Sequence, residues 1–447
     1  MDILFVVPEY SDSPGGIGSY YTTLIPEITG RGHSVDVLVG SAWTSARPSY
    51  EEHGAQVEFL DPRRREKAFA ALNAYEAVPS LRRTLAAAWA VFEQAGRGSE
   101  YDVVETTDFG LLFLPWVAFD DTPPTLVQLH ASNGQVDAHE PMEGKVFQGH
   151  FTRLLECQGL EQADALQSVS PMNARKWEER VQRTVTSCPP PLDVSAVNTS
   201  EAATNTADGF VAGRIQYWKG PTVLSKALAQ LGSHAPRMEW AGRDMEYRAV
   251  GQSMTDFLEQ AYPSVWGQVV QPVGQIPRRQ VLQRQAAAQF VVVPSIWDVF
   301  NYTTAEAMAM RTVVVCSEGA GAADLIESGR NGFRVPPEDP AALAETIQKV
   351  TALMPDERAE IGKRAQDTVA ERLDPQRIAE RRVETYRSVS PRDGVGGDPE
   401  WLREAIRPEG AFDVSSKPLA FLDHLPLRGL IRYVARRTAR KIGRKLA

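Results

Sequence analysis

The stretch "FVVVPSIWDVFNYTTAEAMAM", residues 290–310, decides the reading of the fold. Phe290 to Val293 form a short apolar, β-branched run closed by Pro294, the pattern of a strand buried on both faces. Asp298 follows in the loop, and eight positions later Glu306 stands in an Ala- and Met-rich helical run. A wholly apolar strand, a loop and a helix make the repeating unit of a parallel α/β sheet. Such sheets bind ligands at the carboxyl ends of their strands, and both acids stand at one.

The same unit recurs along the chain. Upstream lie "ILFVVP", "SVDVLVG", "VEFL", "DVVET", "TLVQL" and "ALQSVS", separated by segments rich in Ala, Leu, Glu and Arg such as residues 67–97. The stretch "SCPPPLDVSAVNTSEAATNTADG", residues 187–209, interrupts the pattern with three prolines and a Ser/Thr/Asn run, and reads as a linker. Beyond it the pattern restarts with "FVAGR", "MEWAG", "VVQPVG", "FVVVP", "TVVVCS" and "GFRVP". The expectation is two doubly wound α/β domains, 1–195 and 196–372, facing across a cleft that holds substrate.

Composition agrees. A chain of 447 residues is too long for one core, and 43% hydrophobic with 23% charged residues describes a globular protein. A net charge of −9 argues against a nucleic-acid partner. Cys157, Cys188 and Cys316 lie far apart with no metal-ligand spacing, so a reducing cytoplasm suits them. "MDILFVVPEY" reads as a first strand, not a signal peptide, and no apolar run is long enough for a membrane-spanning helix. The chain has no Walker sequence and no G-x-G-x-x-G after its first strand, so a kinase or dehydrogenase reading has little support.

Four places carry candidate chemistry. "PGGIGSYY" puts Gly15 and Gly16 before a helix that Ser19 is expected to cap, where backbone can approach an anion. "AGRIQYWKG" puts Arg214 and Lys219 at the end of the second domain's first strand, suited to a diphosphate. His130 follows the strand "TLVQL". Glu306 is expected to open its helix, facing a vicinal diol, with Asp298 beside it and the amides of Phe300, Asn301 and Tyr302 forming an anion nest. A bland alternative stands beside each: a loop needing small residues, a solvated ion pair, a structural histidine, two unrelated surface acids.

In this order the pieces resemble the retaining glycosyltransferases of family 4, which have the GT-B fold. "LEQADALQSVS" and "ESGRNGFRVPPEDPAALAETI" match that family too, and the resemblance runs from residue 1 to about 390. It implies a nucleoside-diphosphate sugar donor, no cofactor, and retention of configuration. Glu306 would bind the ribose and Asp298 a hydroxyl of the transferred sugar. Arg214 and Lys219 would hold the diphosphate with Gly16 approaching it, and His130 would touch the donor sugar. The base would lie on backbone at Gly274, Gln275 and Ile276. Three positions depart from the family: Asp298 for Glu, Asn301 for Gly, and Arg311 for a small residue. They keep open a silent nucleotide-sugar- or glycan-binding subunit. A nucleotide-sugar epimerase would instead need acids such as Glu105 and Asp108.

By the same resemblance residues 373–390 form a helix crossing back to the first domain. Residues 391–447 continue as a linker and a tail. From 428 to 447 there are eight Lys/Arg and no acid, with Leu427, Leu430, Ile431, Val434, Thr438, Ile442 and Leu446 at helical spacing on one side. Such a helix suits an anionic membrane surface, or the acidic body of its own or another subunit. A glycan or lipid-linked acceptor of cell-envelope synthesis is implied by the family, on the inner face of the cell membrane.

Overall fold

The computed structural model describes residues 1–11, 15–141, 147–197, 207–391, 400–408, 422 and 426–446. The expected linkers, including 198–206 and 392–399, lie largely outside them, as does Pro14.

The first sheet is built from β1 (Asp2–Val7), β2 (Ser34–Val39), β3 (Tyr50–Glu52), β4 (Ala55–Phe59), β5 (Val103–Thr107), β6 (Thr125–Leu129), β7 (Ala165–Ser168) and β8 (Thr186–Ser187). Their order is β3-β4-β2-β1-β5-β6-β7-β8, parallel except between β3 and β4. The second contains β9 (Gly209–Ala212), β10 (Met238–Ala241), β13 (Val270–Gly274), β14 (Phe290–Val293), β15 (Val313–Ser317) and β16 (Phe333–Val335). All run parallel in the order β13-β10-β9-β14-β15-β16, and a small antiparallel pair, β11 (Glu246–Tyr247) and β12 (Gln252–Ser253), stands apart. Two doubly wound domains result. The strand order reverses between β1 and β5 in one sheet and between β9 and β14 in the other, so the crevices open beside the loops after β1, β9 and β14.

Each run read as a strand is one. The helical reading of 67–97 needs correction: the chain forms Pro62–Ala71 and Pro79–Gln94, with a tight turn between them. Pro79 lacks the amide an uninterrupted helix would use, and instead sits in the first turn of the second helix.

The chain passes to the second domain near Leu192, whose amide bonds to Leu373 O at 2.9 Å. The crossover helix (Pro375–Ser388) returns and packs along the first helix (Gly16–Thr29). Its anchor is Arg382, fully buried and ion-paired with Glu105 of β5, a fully buried acid in a buried strand. The guanidinium also donates to Gln128 Oε1 at 2.6 Å, Tyr386 donates to Glu105, and Tyr21 donates to Glu105 Oε1 at 2.9 Å. Every charge in this cluster has a partner, as burial demands. Glu105, named above as an acid an epimerase would need, instead ties the crossover helix to the first domain.

Removing one partner of a buried pair strands the other, so Arg382→Ala should lower unfolding free energy by about 3–5 kcal/mol. Chemical denaturation measures it; a loss well under 1 kcal/mol would mean water reaches Glu105.

Candidate active site

The loops after β9 and β14 are held together by backbone. Gly220, with φ +78°, ends the turn carrying Lys219, and a Cβ there would lie 1.8 Å from Pro294 O. Only glycine allows this approach. Ile296 N then bonds to Trp218 O at 2.9 Å. The result brings Lys219 onto Asp298, where Nζ pairs with Oδ2. Asp298 is held from behind: its amide donates to Gly319 O at 2.8 Å and its carbonyl accepts from Gly321 N at 3.0 Å. Trp218, buried below, presents its ring to Lys219 Nζ at 4.4 Å and to the Arg214 guanidinium at 5.5 Å. Arg214 reaches solvent, yet its surroundings lower its pKa chiefly by desolvation, while Asp298, Glu140 and Glu9 act to raise it.

Glu306 is in the same region but does not begin its helix, which runs Tyr302–Ala309. Asn301 caps it, accepting from Thr304 N at 3.3 Å, so the dipole's positive end lies at Tyr302 and not at Glu306. Glu306 has a cation beside it instead. Arg278, just after the backbone of Gly274, Gln275 and Ile276, donates from Nη2 to Oε1 at 2.6 Å. Burial raises the Glu306 pKa, and Arg278 counters it. Sequence reading missed Arg278; a cation following a strand's carboxyl end was its signal.

Asn301 has φ +85° and Arg311 φ +61°. Both departures therefore occupy left-handed positions that favour glycine. Each has compensation: Asn301 Nδ2 donates to Asp298 Oδ2 at 2.9 Å besides capping the helix, and Arg311 Nε donates to Gln366 at 2.8 Å. Among the described residues, the amides of Phe300, Asn301 and Tyr302 make no protein hydrogen bond, as an anion nest requires.

The first domain closes onto these loops. A Cβ on Gly16 would stand 3.6 Å from the Tyr302 ring, so Gly16 does come to the loop before the second domain's helix. Glu9 fills the space beside Gly15 and accepts from Gly18 N at 3.0 Å. The first helix starts at Gly16; Ser19 is no cap, since its hydroxyl donates back to Gly15 O at 3.1 Å. His139 stacks on Trp297 at 4.3 Å with planes 5° apart, Ser170 Oγ donates to Val299 O at 2.6 Å, and Gln216 donates to Glu140. None of these cross-domain contacts was legible beforehand.

His130 lies beneath this surface, nearly buried between Tyr20 and Tyr21 at 4.8 and 5.4 Å, with Nε2 3.3 Å from the Tyr21 hydroxyl. Burial pushes its pKa down to about 3, so it is neutral at pH 7. Asp108 Oδ1 accepts from the amides of His130 and Ala131 at 2.8 and 3.3 Å, while Oδ2 is buried without a partner. Asp108 is thus a loop anchor, and neither it nor Glu105 is open to the cleft as an epimerase base. Burial raises Asp108 to about 7, and Glu156, which holds Ser132 and Gly134, to about 8. Among the described residues no group of three or more His, Cys, Asp or Glu is placed to hold a metal.

Fold and site together define a protein of two doubly wound domains whose facing loops bring cations, buried acids and glycine-rich backbone to one cleft. The first domain matches a family model described as glycosyl transferase 4-like domain over residues 15–185, the second one described as glycosyl transferases group 1 over 208–352. Between them the two glycosyltransferase models cover most of the chain, and its architecture is the GT-B fold. A D-inositol 3-phosphate glycosyltransferase of Nocardioides is 30% identical over 149 residues, 31% of this chain and 32% of that protein. An alpha-maltose-1-phosphate synthase of Mycolicibacterium smegmatis is 31% identical over 121 residues, 26% of this chain and 31% of that one. The matched stretch thus spans about a third of these curated relatives. Sucrose-phosphate synthase from Thermosynechococcus elongatus shares the fold with TM-score 0.65 at 21% identity, covering 87% of this chain and 98% of that one. Anabaena HepE, solved with UDP-glucose, does so with TM-score 0.60 at 19% identity, covering 87% and 100%.

These burials set two pH dependences. Asp108 and Glu156 carry protons in the fold that an unfolded chain releases near pH 4. Their stabilising contribution is full below that pH and is lost as pH rises through about 7 and 8. The melting temperature should fall across this window, and Glu156→Gln should flatten the fall; an unchanged slope would show Glu156 to be ionised. At Glu306, loss of Arg278 should raise the pKa further. The acid limb of nucleotide binding should move to higher pH in Arg278→Gln and partly return in Arg278→Lys, as titration calorimetry across pH would show.

Proposed function

We propose that the protein is a retaining, metal-independent glycosyltransferase that moves a sugar from a nucleoside-diphosphate sugar to a hydroxyl acceptor. The observation that carries this is the meeting of Arg214, Lys219, Asp298 and the free amides of residues 300–302 at the second sheet's crevice, with Gly16 facing them. UDP-glucose in the HepE structure supports a UDP-sugar donor.

In this mechanism the diphosphate lies against Arg214, Lys219 and the free amides, fixed positive groups placed where leaving-group charge develops. Lys219 exchanges Asp298 for phosphate, and the released carboxylate accepts from a hydroxyl of the transferred sugar. Glu306, kept ionised by Arg278, accepts from the ribose hydroxyls, with the base over Gly274, Gln275 and Ile276. The acceptor hydroxyl attacks from the face the phosphate leaves, and a departing phosphate oxygen takes its proton. Neutral His130 contributes an uncharged donor or acceptor beside the sugar. Closure of the two domains excludes water from the oxocarbenium-like state.

The acceptor is a glycan or lipid-linked intermediate of cell-envelope polysaccharide or glycolipid synthesis. The protein works in the cytoplasm, at the inner face of the membrane. The basic tail, residues 427–447, supports that placement by its eight cations and its lack of acids.

Arg214→Ala with Lys219→Ala should abolish the rise in melting temperature that UDP or a UDP-sugar gives wild type. Two charge-assisted contacts are lost, so affinity should drop about a hundredfold or more. Incubation of wild type with donor and acceptor extract should transfer sugar with the donor's anomeric configuration, read by NMR. Nucleotide binding without transfer would favour a silent binding subunit, and an inverted product would overturn retention.

A further inference from the structure

Ten large apolar side chains stand exposed among the described residues, and seven of them belong to three helices. Two are on the helix Phe147–Gln162: Phe147 at 72% and Leu154 at 53% exposure. One is Trp401, at 47%, on the short helix Glu400–Ile406. The rest are on the tail helix Leu427–Leu446, where Leu427, Ile431 and Val434 are 59–70% exposed. Single exposed apolar residues need no explanation, but a clustered set marks a contact surface.

The first two helices form one surface. Positions 147, 151 and 154 share a stripe of their helix, bordering the side that Thr152, Leu155, Glu156 and Gly159 bury. Phe147 stacks on Phe151 at 6.1 Å, and Phe151 meets Tyr75 at 6.1 Å. The Tyr75 hydroxyl donates to Ala405 O at 2.5 Å, one turn from Trp401. Helix 400–406 is itself fastened by buried Leu402 and Ile406 and by Arg403 to Asp120 at 3.2 Å. The chain leading to the tail is therefore strapped to the first domain, on the acceptor side. The stripe begins seven residues past Glu140, which meets Gln216 across the cleft.

The tail supplies the charge. Its side chains are exposed on every side through Ala439, apart from half-buried Leu430, and residues 428–447 include eight cations and no acid. An apolar face with cations around it matches the anionic headgroup layer of a bilayer, where each Lys or Arg adds about fivefold to binding. No described helix is long and apolar enough to cross a membrane, so this contact is interfacial.

We propose that the acceptor-side domain itself docks on an anionic bilayer, Phe147, Leu154 and Trp401 entering the interface while the tail helix lies beside them. This rests on the membrane reading of the tail and deepens it: it turns the acceptor crevice towards the lipid surface, where a lipid-linked hydroxyl would be presented.

The test uses the full chain and phosphatidylcholine vesicles with or without phosphatidylglycerol, in low and high salt. Wild type should bind only vesicles with phosphatidylglycerol. Arg432→Ala/Arg436→Ala/Arg437→Ala should bind about a hundredfold more weakly. Phe147→Ser/Leu154→Ser/Trp401→Ser should lose the salt-resistant part of binding, with an unchanged melting temperature because all three side chains are exposed. Equal binding by this last variant overturns the docking of the domain. No binding by wild type, with a dimer in solution, overturns it in favour of a second copy as the tail's partner. The nucleotide-induced melting shift, measured on the same samples, separates the two readings: vesicle binding without that shift sinks the donor site alone, and the shift without vesicle binding sinks only this inference.

Discussion

In the cleft, each of the two buried acids already holds a cation, Lys219 on Asp298 and Arg278 on Glu306. Burial imposes this. A carboxylate taken out of water must be neutralised, hydrogen-bonded or protonated, and Asp298 and Glu306 are both less than a tenth exposed. Under the proposed function, donor binding is then an exchange of partners. A diphosphate brings negative charge that competes for Lys219, and sugar hydroxyls replace what Asp298 gives up. The net gain is smaller than a count of new contacts would suggest, since the old ones are lost. Selectivity benefits, because a ligand with phosphate but no hydroxyls would leave Asp298 buried without its main partner.

The same constraint explains the first domain. Glu105 lies in a strand buried on both faces, and folding tolerates it because Arg382 arrives from residues far along the chain. That pair makes the crossover helix part of the first domain's core. Tyr21 bonds to both Glu105 and His130, so the helix anchor and the loop after β6 share one hydrogen-bond network. The neutral state of His130 is a result of that burial.

Much of this was legible in the sequence, for physical reasons. Parallel strands buried on both faces leave uninterrupted apolar runs, and strand order sets the crevice position, so Arg214, Lys219, Asp298 and Gly16 could be placed on facing loops. The helix start could not: Glu306 looked like a first-turn acid because Ala and Met dominate residues 305–310, whereas Asn301 caps a helix that starts at Tyr302, four residues earlier. Arg278 was missed because a surface arginine carries no periodic signal. His139 on Trp297 and Ser170 on Val299 depend on how the two domains approach, which no local pattern encodes. A buried acid in "DVVET" was a signal that a cation must come from elsewhere, though not from where.

Asn301 and Arg311 show why family departures are poor evidence of lost function. Both positions demand a left-handed backbone, which glycine meets at little steric cost and which Asn tolerates better than most residues. At 301 the side chain that replaces glycine caps the helix and bonds to Asp298, so the strain is offset inside the site itself. Asn301 Nδ2 and Lys219 Nζ then share Asp298 Oδ2. Lys219 can turn towards phosphate while the amide keeps the carboxylate in place. The substitution that first argued for a silent protein thus supplies a second hold on the carboxylate, one that would persist through the proposed exchange.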